Sequence, residues 1–463
     1  MPKDWAGSGI DLHLDVDTSG GRRTGLERAL RAAIRTGRLA PGDTVPSTRA
    51  LALQLHLARG TVTAAYDQLT AEGYLTTVPG SGTRVAEIAP TADDAPGPAG
   101  TGAPVHDLLP GRPDLSAFPS RAWLRSTRRV LETAPPEAHA LGDPRGRPEL
   151  REALAAYLGR ARGVHADPGR IIVTSGYAQS LGLLAEVLSA AGTTTIAMEE
   201  PGHPFHREIV NHRGLTIVPL PVDDLGARAD ILAEAGAAVL TPAHQYPSGV
   251  TLHPDRRHAF TTWARATGGL IIEDDFDGEF RFDRQPVGAL QGTAPDHVVY
   301  AGTASKTLAP GMRLAWLVPP AHLVEPVAEA KRLADAQTQS LGQLVFADLL
   351  ETHTYDRHVR ASRFRYRRRR DLLAATLHVR VPHVRVQGIA AGLHALVLLP
   401  DDGPDEQAIM QRAAPLGLAL MPLHDHWQNP SSRPQGFIIG YSTPLASAYP
   451  PALDALCTVL STR

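Results

Sequence analysis

The sequence predicts an α/β protein in which a small helical N-terminal domain precedes a large domain built on a mostly parallel sheet. After residue 106, short apolar runs such as 171–173 and 269–272 alternate with helical patterns, as is typical of doubly wound sheets. A flexible linker between the two domains is predicted at 87–105, because residues 89–105 are rich in Ala, Pro and Gly and cannot bury enough apolar surface to order themselves.

Composition excludes several classes of protein. The 463 residues carry 46 basic and 48 acidic side chains, and this net charge of −2 gives no overall field that would attract nucleic acid or a membrane. The single cysteine, Cys457, excludes an intrachain disulfide and a cysteine-based metal cluster. The first residues lack an apolar segment, and no apolar run reaches membrane-spanning length. We therefore expect a cytoplasmic protein without a membrane segment and without a cysteine-bound metal.

The first domain, residues 1–86, is predicted to contain three helices and a hairpin. The helices are expected at 26–38, from Ser47, which caps the second helix, to residue 55, and at 59–69. A glycine-rich turn at 79–83 then joins two short strands. This order predicts a winged helix-turn-helix, whose third helix enters the major groove of DNA. Residues 20–86 hold nine arginines and four carboxylates, which agrees with a nucleic-acid partner.

Several short motifs in this domain resemble the GntR family of bacterial repressors. They are V-P-S-T-R at 45–49, R-G-T-V at 59–62, E-G-Y-L at 72–75 and G-S-G-T at 80–83. The resemblance implies that double-stranded operator DNA is contacted by residues at helix starts and in the wing: Ser47, Arg49, Arg59, Thr61, Gly80 and Gly82. A solvated polar face is the alternative for each residue alone, and protein or RNA binding is the alternative for the fold.

The large domain, residues 106–463, is organised around the string S-K-T-L-A-P-G-M-R at 305–313. A lysine in a small polar turn after an apolar strand projects into a pocket, where desolvation favours imine formation with an aldehyde. A lone Ser-Lys pair is usually a surface loop, but the full string resembles the lysine motif of fold-type I aminotransferases. The resemblance implies that pyridoxal 5′-phosphate is the cofactor and that Lys306 forms its Schiff base.

Two further segments extend this resemblance. The strand 171–174 runs through a turn into a helix, which makes a phosphate cradle from backbone amides and the helix dipole. The strand 269–276 ends in three acids at the sheet edge where ligands bind. By resemblance, the phosphate and the ring nitrogen contact the following residues: Tyr177, Ala178, Gln179, Ser305, Arg313 and Asp274. Asp275, on the opposite face, is the second choice for the ring nitrogen.

A GntR-type head on an aminotransferase-like body resembles the MocR/GabR family of transcription regulators. The resemblance implies an N-terminal winged helix-turn-helix, a fold-type I large domain, an α+β small domain and a homodimer, usually head-to-tail. We expect the body to sense a small-molecule effector without net catalysis. In one branch of the family the effector is pyridoxal phosphate itself, which controls vitamin B6 synthesis; in others it is an amine or amino acid. A regulator without an effector, or a working aminotransferase with a vestigial head, remains the alternative.

Two positions depart from the family pattern. Phe276 replaces the tyrosine that would donate a hydrogen bond to the ring oxygen of the cofactor, and His244 or Tyr246 is the candidate substitute. Ile438 stands in the last strand where aminotransferases carry the arginine that holds the substrate carboxylate, and Arg433 is the nearest stand-in. Because this carboxylate-binding arginine, or clamp, is missing, we expect an effector other than an ordinary α-amino acid.

A further segment of the large domain is unusually rich in arginine. Seven arginines occur within the eleven residues 360–370. A solvated helix of the small domain is the preferred interpretation, because the family that the chain resembles carries a similar R-x-x-Y-x-x-R-R-D pattern, and nucleic-acid binding is the alternative.

Overall fold

The computed structural model describes residues 16, 20–78, 82–87, 104–232, 235–282, 287–428 and 433–461. The chain divides into two compact units, Met1–Gly102 and Ala103–Arg463. This boundary lies within the predicted linker 87–105, most of which is outside the described residues. Among the described residues, no helix is long and apolar enough to cross a membrane.

The first unit has the predicted winged helix-turn-helix architecture. Its elements are the helices α1 (Arg22–Arg35), α2 (Thr48–Gln54) and α3 (Arg59–Ala71) and the antiparallel strands β1 (Leu75–Val78) and β2 (Gly82–Val85). The helix predicted at 26–38 begins earlier, at Arg22, and ends at Arg35. It ends there because the Thr36 hydroxyl donates to the Ala32 carbonyl and Gly37 turns the chain at a φ of 72°. The apolar faces of the three helices meet in one core with the hairpin.

The second unit contains a large and a small sheet surrounded by helices. Its helices are α4 (Ser120–Thr133), α5 (Pro148–Arg162), α6 (Tyr177–Ala190), α7 (Pro204–His212), α8 (Pro254–Thr267), α9 (Ala321–Asp335), α10 (Ser340–Glu351), α11 (Thr354–Arg380), α12 (Glu406–Ala413) and α13 (Tyr449–Ser461). Its strands are β3 (His106–Asp107), β4 (Ile172–Thr174), β5 (Thr195–Glu200), β6 (Thr216–Asp223), β7 (Gly226–Ala227), β8 (Ala237–Leu240), β9 (Leu270–Asp275), β10 (Val298–Thr303), β11 (Ala315–Val318), β12 (Arg385–Gln387), β13 (His394–Leu398), β14 (Leu418–Ala419), β15 (Met421–Pro422) and β16 (Gly436–Gly440).

The large sheet has the strand order β4-β11-β10-β9-β8-β5-β6-β7. The five central strands from β10 to β6 are parallel, whereas β11 runs antiparallel to both of its neighbours. Alternate residues of β9 pack into different cores: Ile272 contacts the α6 side and Ile271 the α8 side. Both faces are therefore covered by helices, as the continuous apolar runs in the sequence predict. The small sheet, β12-β13-β16-β15, is antiparallel.

Candidate functional site

A cavity of about 280 Å³ opens at the carboxyl ends of the central parallel strands. Glu199 and Asp274 reach it from the ends of β5 and β9, and Thr241 follows the end of β8. The carboxyl edge is where ligands bind in open α/β sheets, because the helix N-termini and the connecting loops meet there. The cavity therefore defines the candidate site of the second unit.

Lys306 lies in a tight turn three residues beyond the end of β10. The Ala304 amide donates to Leu314 and the Ser305 amide to the Thr303 hydroxyl at 3.1 Å, which fixes the turn. Lys306 Nζ donates to the Gly111 carbonyl at 2.8 Å. Burial lowers the pKa of Lys306, and the Asp274 and Asp277 carboxylates oppose that shift. A larger fraction of this amine is thus neutral and nucleophilic than of a lysine in water.

Asp274 faces the cavity, whereas Asp275 points to the other side of the sheet. Asp275 accepts from Arg162 Nε at 2.7 Å and from the Tyr300 hydroxyl at 2.8 Å. Asp274 is buried, and its Oδ1 has no hydrogen-bond partner among the described residues. Burial raises the pKa of Asp274 well above its usual range, and Lys306 opposes this. A buried carboxylate oxygen without a donor fits a protonated ring nitrogen of a bound molecule.

A phosphate cradle stands at the N-terminus of α6. Tyr177 and Ala178 line the cavity, and Ser305 and Arg313 complete this wall. Gly176 has a φ of 111°, and a Cβ there would lie 2.8 Å from the Arg313 guanidinium. The glycine therefore permits a guanidinium to approach the free amides of a helix start, a combination that binds anions.

Gln179 does not share this position. Its side chain accepts from the Ser175 amide at 2.7 Å and donates to Asp335 at 2.8 Å. The side chain therefore braces the turn, and it is not among the residues that line the cavity.

Two histidines that the sequence analysis missed form another wall. His203 and His206 line the cavity with their ring centroids 4.3 Å apart, and His206 contacts the Tyr177 ring. Burial, with help from the Lys306 charge, lowers the pKa of His203 to about 4, so the imidazole is neutral. The available signal was their position just beyond β5, at the same carboxyl edge as Asp274.

Tyr246 and His244 are differently placed with respect to Phe276. Tyr246 lines the cavity, and its hydroxyl lies 3.1 Å from His426 Nε2. His244 is absent from the lining; it is buried with Nδ1 3.0 Å from Asp277. The Phe276 ring contacts both side chains. Of the two predicted substitutes for the missing tyrosine, Tyr246 is therefore the one that reaches the cavity.

The position of the expected carboxylate clamp is apolar. Ile438 is fully buried in β16 and packs with Leu396, Leu398 and Leu423 behind Tyr246. Arg433, the predicted stand-in, is exposed with its guanidinium 5.0 Å from the Trp427 ring centroid. The arginine that does line this part of the cavity is Arg207, whose charge is paired with Glu200 at 3.2 Å. Arg207 therefore lines the cavity, whereas the predicted stand-in Arg433 is not among its lining residues.

The predicted DNA-contacting residues lie at the starts of α2 and α3. Arg49 and Arg59 are exposed, whereas Thr61 is half-buried. The Ser47 hydroxyl caps α2 by accepting from the Ala50 amide at 3.2 Å. Gly82 has a φ of 88°, a conformation that favours glycine, at the edge of the wing. Gly80 lies outside the described residues.

Comparisons with known proteins agree with both units. The family model of bacterial regulatory proteins, gntR family, matches residues 23–85, and the model of aminotransferase class I and II matches residues 110–411. The pyridoxine biosynthesis transcriptional regulator PdxR of Corynebacterium glutamicum is 32% identical over 432 residues, which cover 91% of this chain and 92% of that protein. The chain belongs to the MocR/GabR family of transcription regulators.

Other relatives support this membership. The HTH-type regulator YhdI of Bacillus subtilis is 35% identical over 84% of this chain and 85% of its own length. The probable rhizopine catabolism regulator MocR of Rhizobium meliloti is 30% identical over 93% and 92% of the two chains. An archaeal alanine:glyoxylate aminotransferase superposes with a TM-score of 0.72 at 24% identity, covering 78% of this chain and 91% of that one. The predicted fold of this MocR/GabR-type regulator is confirmed, and the family joins DNA binding to a fold whose enzymes depend on pyridoxal phosphate.

Proposed function

We propose that this MocR/GabR-type regulator binds pyridoxal phosphate in the described cavity and that occupancy of the cavity sets its affinity for operator DNA. One observation carries the proposal. The groups that would bind the cofactor line one cavity, and the position where aminotransferases hold the substrate carboxylate with an arginine is apolar. Lys306, Asp274 and Arg313 line one cavity, while Ile438 is buried among leucines. A site built in this way holds the cofactor and lacks the usual group for an α-carboxylate.

Each cofactor-facing residue has a distinct role. The bound cofactor supplies an aldehyde for a lysine amine and a ring that accepts negative charge. Lys306 presents a partly neutral amine at Nζ, and Asp274 Oδ1 would keep a proton on the ring nitrogen. The α6 N-terminus, Ser305 and Arg313 would neutralise the phosphate. Tyr246 would donate to the ring oxygen in place of the tyrosine that Phe276 replaces.

The effector class follows from the same arrangement. Without an arginine at position 438, an amino-acid carboxylate would lose about 1.5–3 kcal/mol of charged hydrogen bonding. The Corynebacterium relative named for pyridoxine biosynthesis supports pyridoxal phosphate itself as the effector. We propose that the active regulator is a cytoplasmic homodimer, because two winged helix-turn-helix domains contact the two half-sites of an operator together.

The test uses the small number of lysines in the chain, Lys3, Lys306 and Lys331. Purified protein should absorb visible light, and borohydride should attach the cofactor to the peptide that carries Lys306. Lys306→Ala should remove this label, whereas Lys331→Arg, which keeps the ion pair with Asp335, should retain it. Labelling of Lys306→Ala equal to that of the wild type would refute the lysine assignment.

A further inference from the structure

The arginine-rich helix α11 exposes one continuous basic face. This helix has 27 residues and is about 40 Å long at 1.5 Å per residue. One side packs into the unit through Tyr355, Val359, Tyr366, Leu373 and Leu377. The opposite side exposes what we call the arginine face, composed of Arg357, Arg360, Phe364, Arg367 and Arg368. The buried side holds the helix in place, so this face is presented in a fixed arrangement.

Positive charge in the second unit is concentrated on this helix. Residues 106–463 contain 36 basic and 37 acidic side chains, whereas residues 354–380 contain nine arginines and two carboxylates. The rest of the unit is therefore net acidic. Like charges at i+4 positions, as in Arg363/Arg367 and Arg365/Arg369, repel each other and destabilise the helix. A surface helix does not need so many arginines to stay soluble.

The arginines of this face are largely free of acidic partners. Arg360 and Arg368 form no ion pair with any described residue, and Arg367 lies 3.9 Å from Asp371. In α9, by contrast, the exposed Arg332 pairs with Glu329 at 2.7 Å. The guanidinium groups of the arginine face thus remain available to an external anion.

Phe364 gives a second, independent observation. It lies in the middle of the arginine face, and 75% of its surface is exposed. On nucleic-acid-binding surfaces, exposed aromatic rings contact base faces while the cations around them contact phosphates, so a ring between arginines is compatible with such a surface.

We infer that the arginine face of α11 is a second DNA-contacting surface that binds the phosphate backbone of duplex DNA. The family already binds duplex DNA through its winged helix-turn-helix. DNA is therefore a partner of the chain, and its negative charge complements the arginine face. Sequence recognition remains with the first unit, because arginines that contact phosphates add affinity independent of base sequence. This inference goes beyond the cofactor proposal and does not depend on it.

The test measures how binding of the full-length protein to a random-sequence duplex of about 60 base pairs falls with salt, since each contacted phosphate adds roughly 0.9 to the slope of log K against log salt. Arg360→Gln/Arg367→Gln/Arg368→Gln should reduce the slope by about 2 to 3. Replacement of the same arginines by lysine should preserve it. A matched control, Arg213→Gln/Arg228→Gln/Arg332→Gln, removes three exposed arginines that are paired with acids and should leave the slope unchanged.

Two results would overturn the inference. In the first, the glutamine variant has the same slope as the wild type, which would mean that the arginine face binds an acidic protein or only water. Equal reductions in the glutamine variant and the matched control would attribute the effect to total charge. If the triple variant fails to fold, Arg360→Gln and Arg368→Gln are measured singly, and each must reduce the slope by about 1.

Discussion

Arg313 is the residue whose removal should most selectively weaken cofactor binding. Its guanidinium lies against Gly176 at the start of α6, where a phosphate would sit. Loss of one charged hydrogen bond costs about 1.5–3 kcal/mol, so Arg313→Ala should weaken pyridoxal phosphate affinity roughly 10- to 150-fold. Arg433→Ala is the control, because Arg433 is exposed over Trp427 and should leave the affinity unchanged. Titration of the apo protein by absorbance measures both, and equal losses would contradict the assignment.

A second prediction at the scale of single residues concerns pH. Burial lowers the pKa of His426 to about 4, whereas in the unfolded chain it is about 6.5. Because the unfolded chain takes up the proton first, this group's contribution to stability is complete above pH 6.5 and is lost as the pH falls towards 4. The full loss is about 3 kcal/mol.

His426→Gln keeps an amide near the Tyr246 hydroxyl but cannot be protonated. Its free energy of unfolding, relative to the wild type, should therefore rise as the pH is lowered from 7 to about 4.5. Denaturant unfolding at three pH values measures this difference. Parallel pH profiles would show that the imidazole is not held in its neutral form.

At the scale of elements, the turn before α6 should be sensitive to the Cβ of a single residue. Gly176→Ala places a methyl group 2.8 Å from the Arg313 guanidinium and strains a φ of 111°. Gly192→Ala is the matched control, since Gly192 follows α6 with a φ of 90° and no atom within 4 Å of the added Cβ. Gly176→Ala should lose about 1–3 kcal/mol of stability and Gly192→Ala about 1–2 kcal/mol, but only Gly176→Ala should weaken cofactor affinity. Equal affinities in a titration would mean that the cradle does not hold the phosphate.

Much of the fold follows from local patterns. The runs that form β4, β8 and β9 are apolar and short, and the Ser47 cap marks the start of α2, so these elements were predictable. The Lys306 turn and Asp274 were found because they stand beside such runs. The start of α1 was not predictable, because Arg22 to Gly25 carry no apolar periodicity.

Other parts of the site depend on contacts between distant segments. His203 and His206 were missed because isolated histidines have no distinctive spacing. Arg207 was missed because its role depends on Glu200, on a different element. The family resemblance also predicted that Gln179 contacts the cofactor phosphate, whereas its side chain is hydrogen-bonded to Ser175 and Asp335. Side-chain direction at a helix start is decided by such neighbours, and no local pattern records it.

At the scale of the whole molecule, regulation requires that cofactor and DNA binding be coupled. A ligand shifts an equilibrium between two states only through different affinities for them. The cavity is in the second unit and the winged helix-turn-helix in the first, so in the proposed homodimer occupancy must change how the two winged helix-turn-helix domains are presented to DNA. Allosteric couplings of this kind amount to roughly 5- to 150-fold in affinity.

The most direct measurement compares operator affinity for apo protein, for protein loaded with pyridoxal phosphate, and for loaded protein with a panel of amino acids and amines. The operator is a duplex selected from a random pool, and Arg49→Ala and Arg59→Ala serve as controls that should weaken binding in every state. The account predicts that apo and loaded protein differ at least about 5-fold, while millimolar α-amino acids change neither the absorbance nor the affinity. Equal affinities of apo and loaded protein, together with one amino acid that shifts both spectrum and affinity, would contradict it.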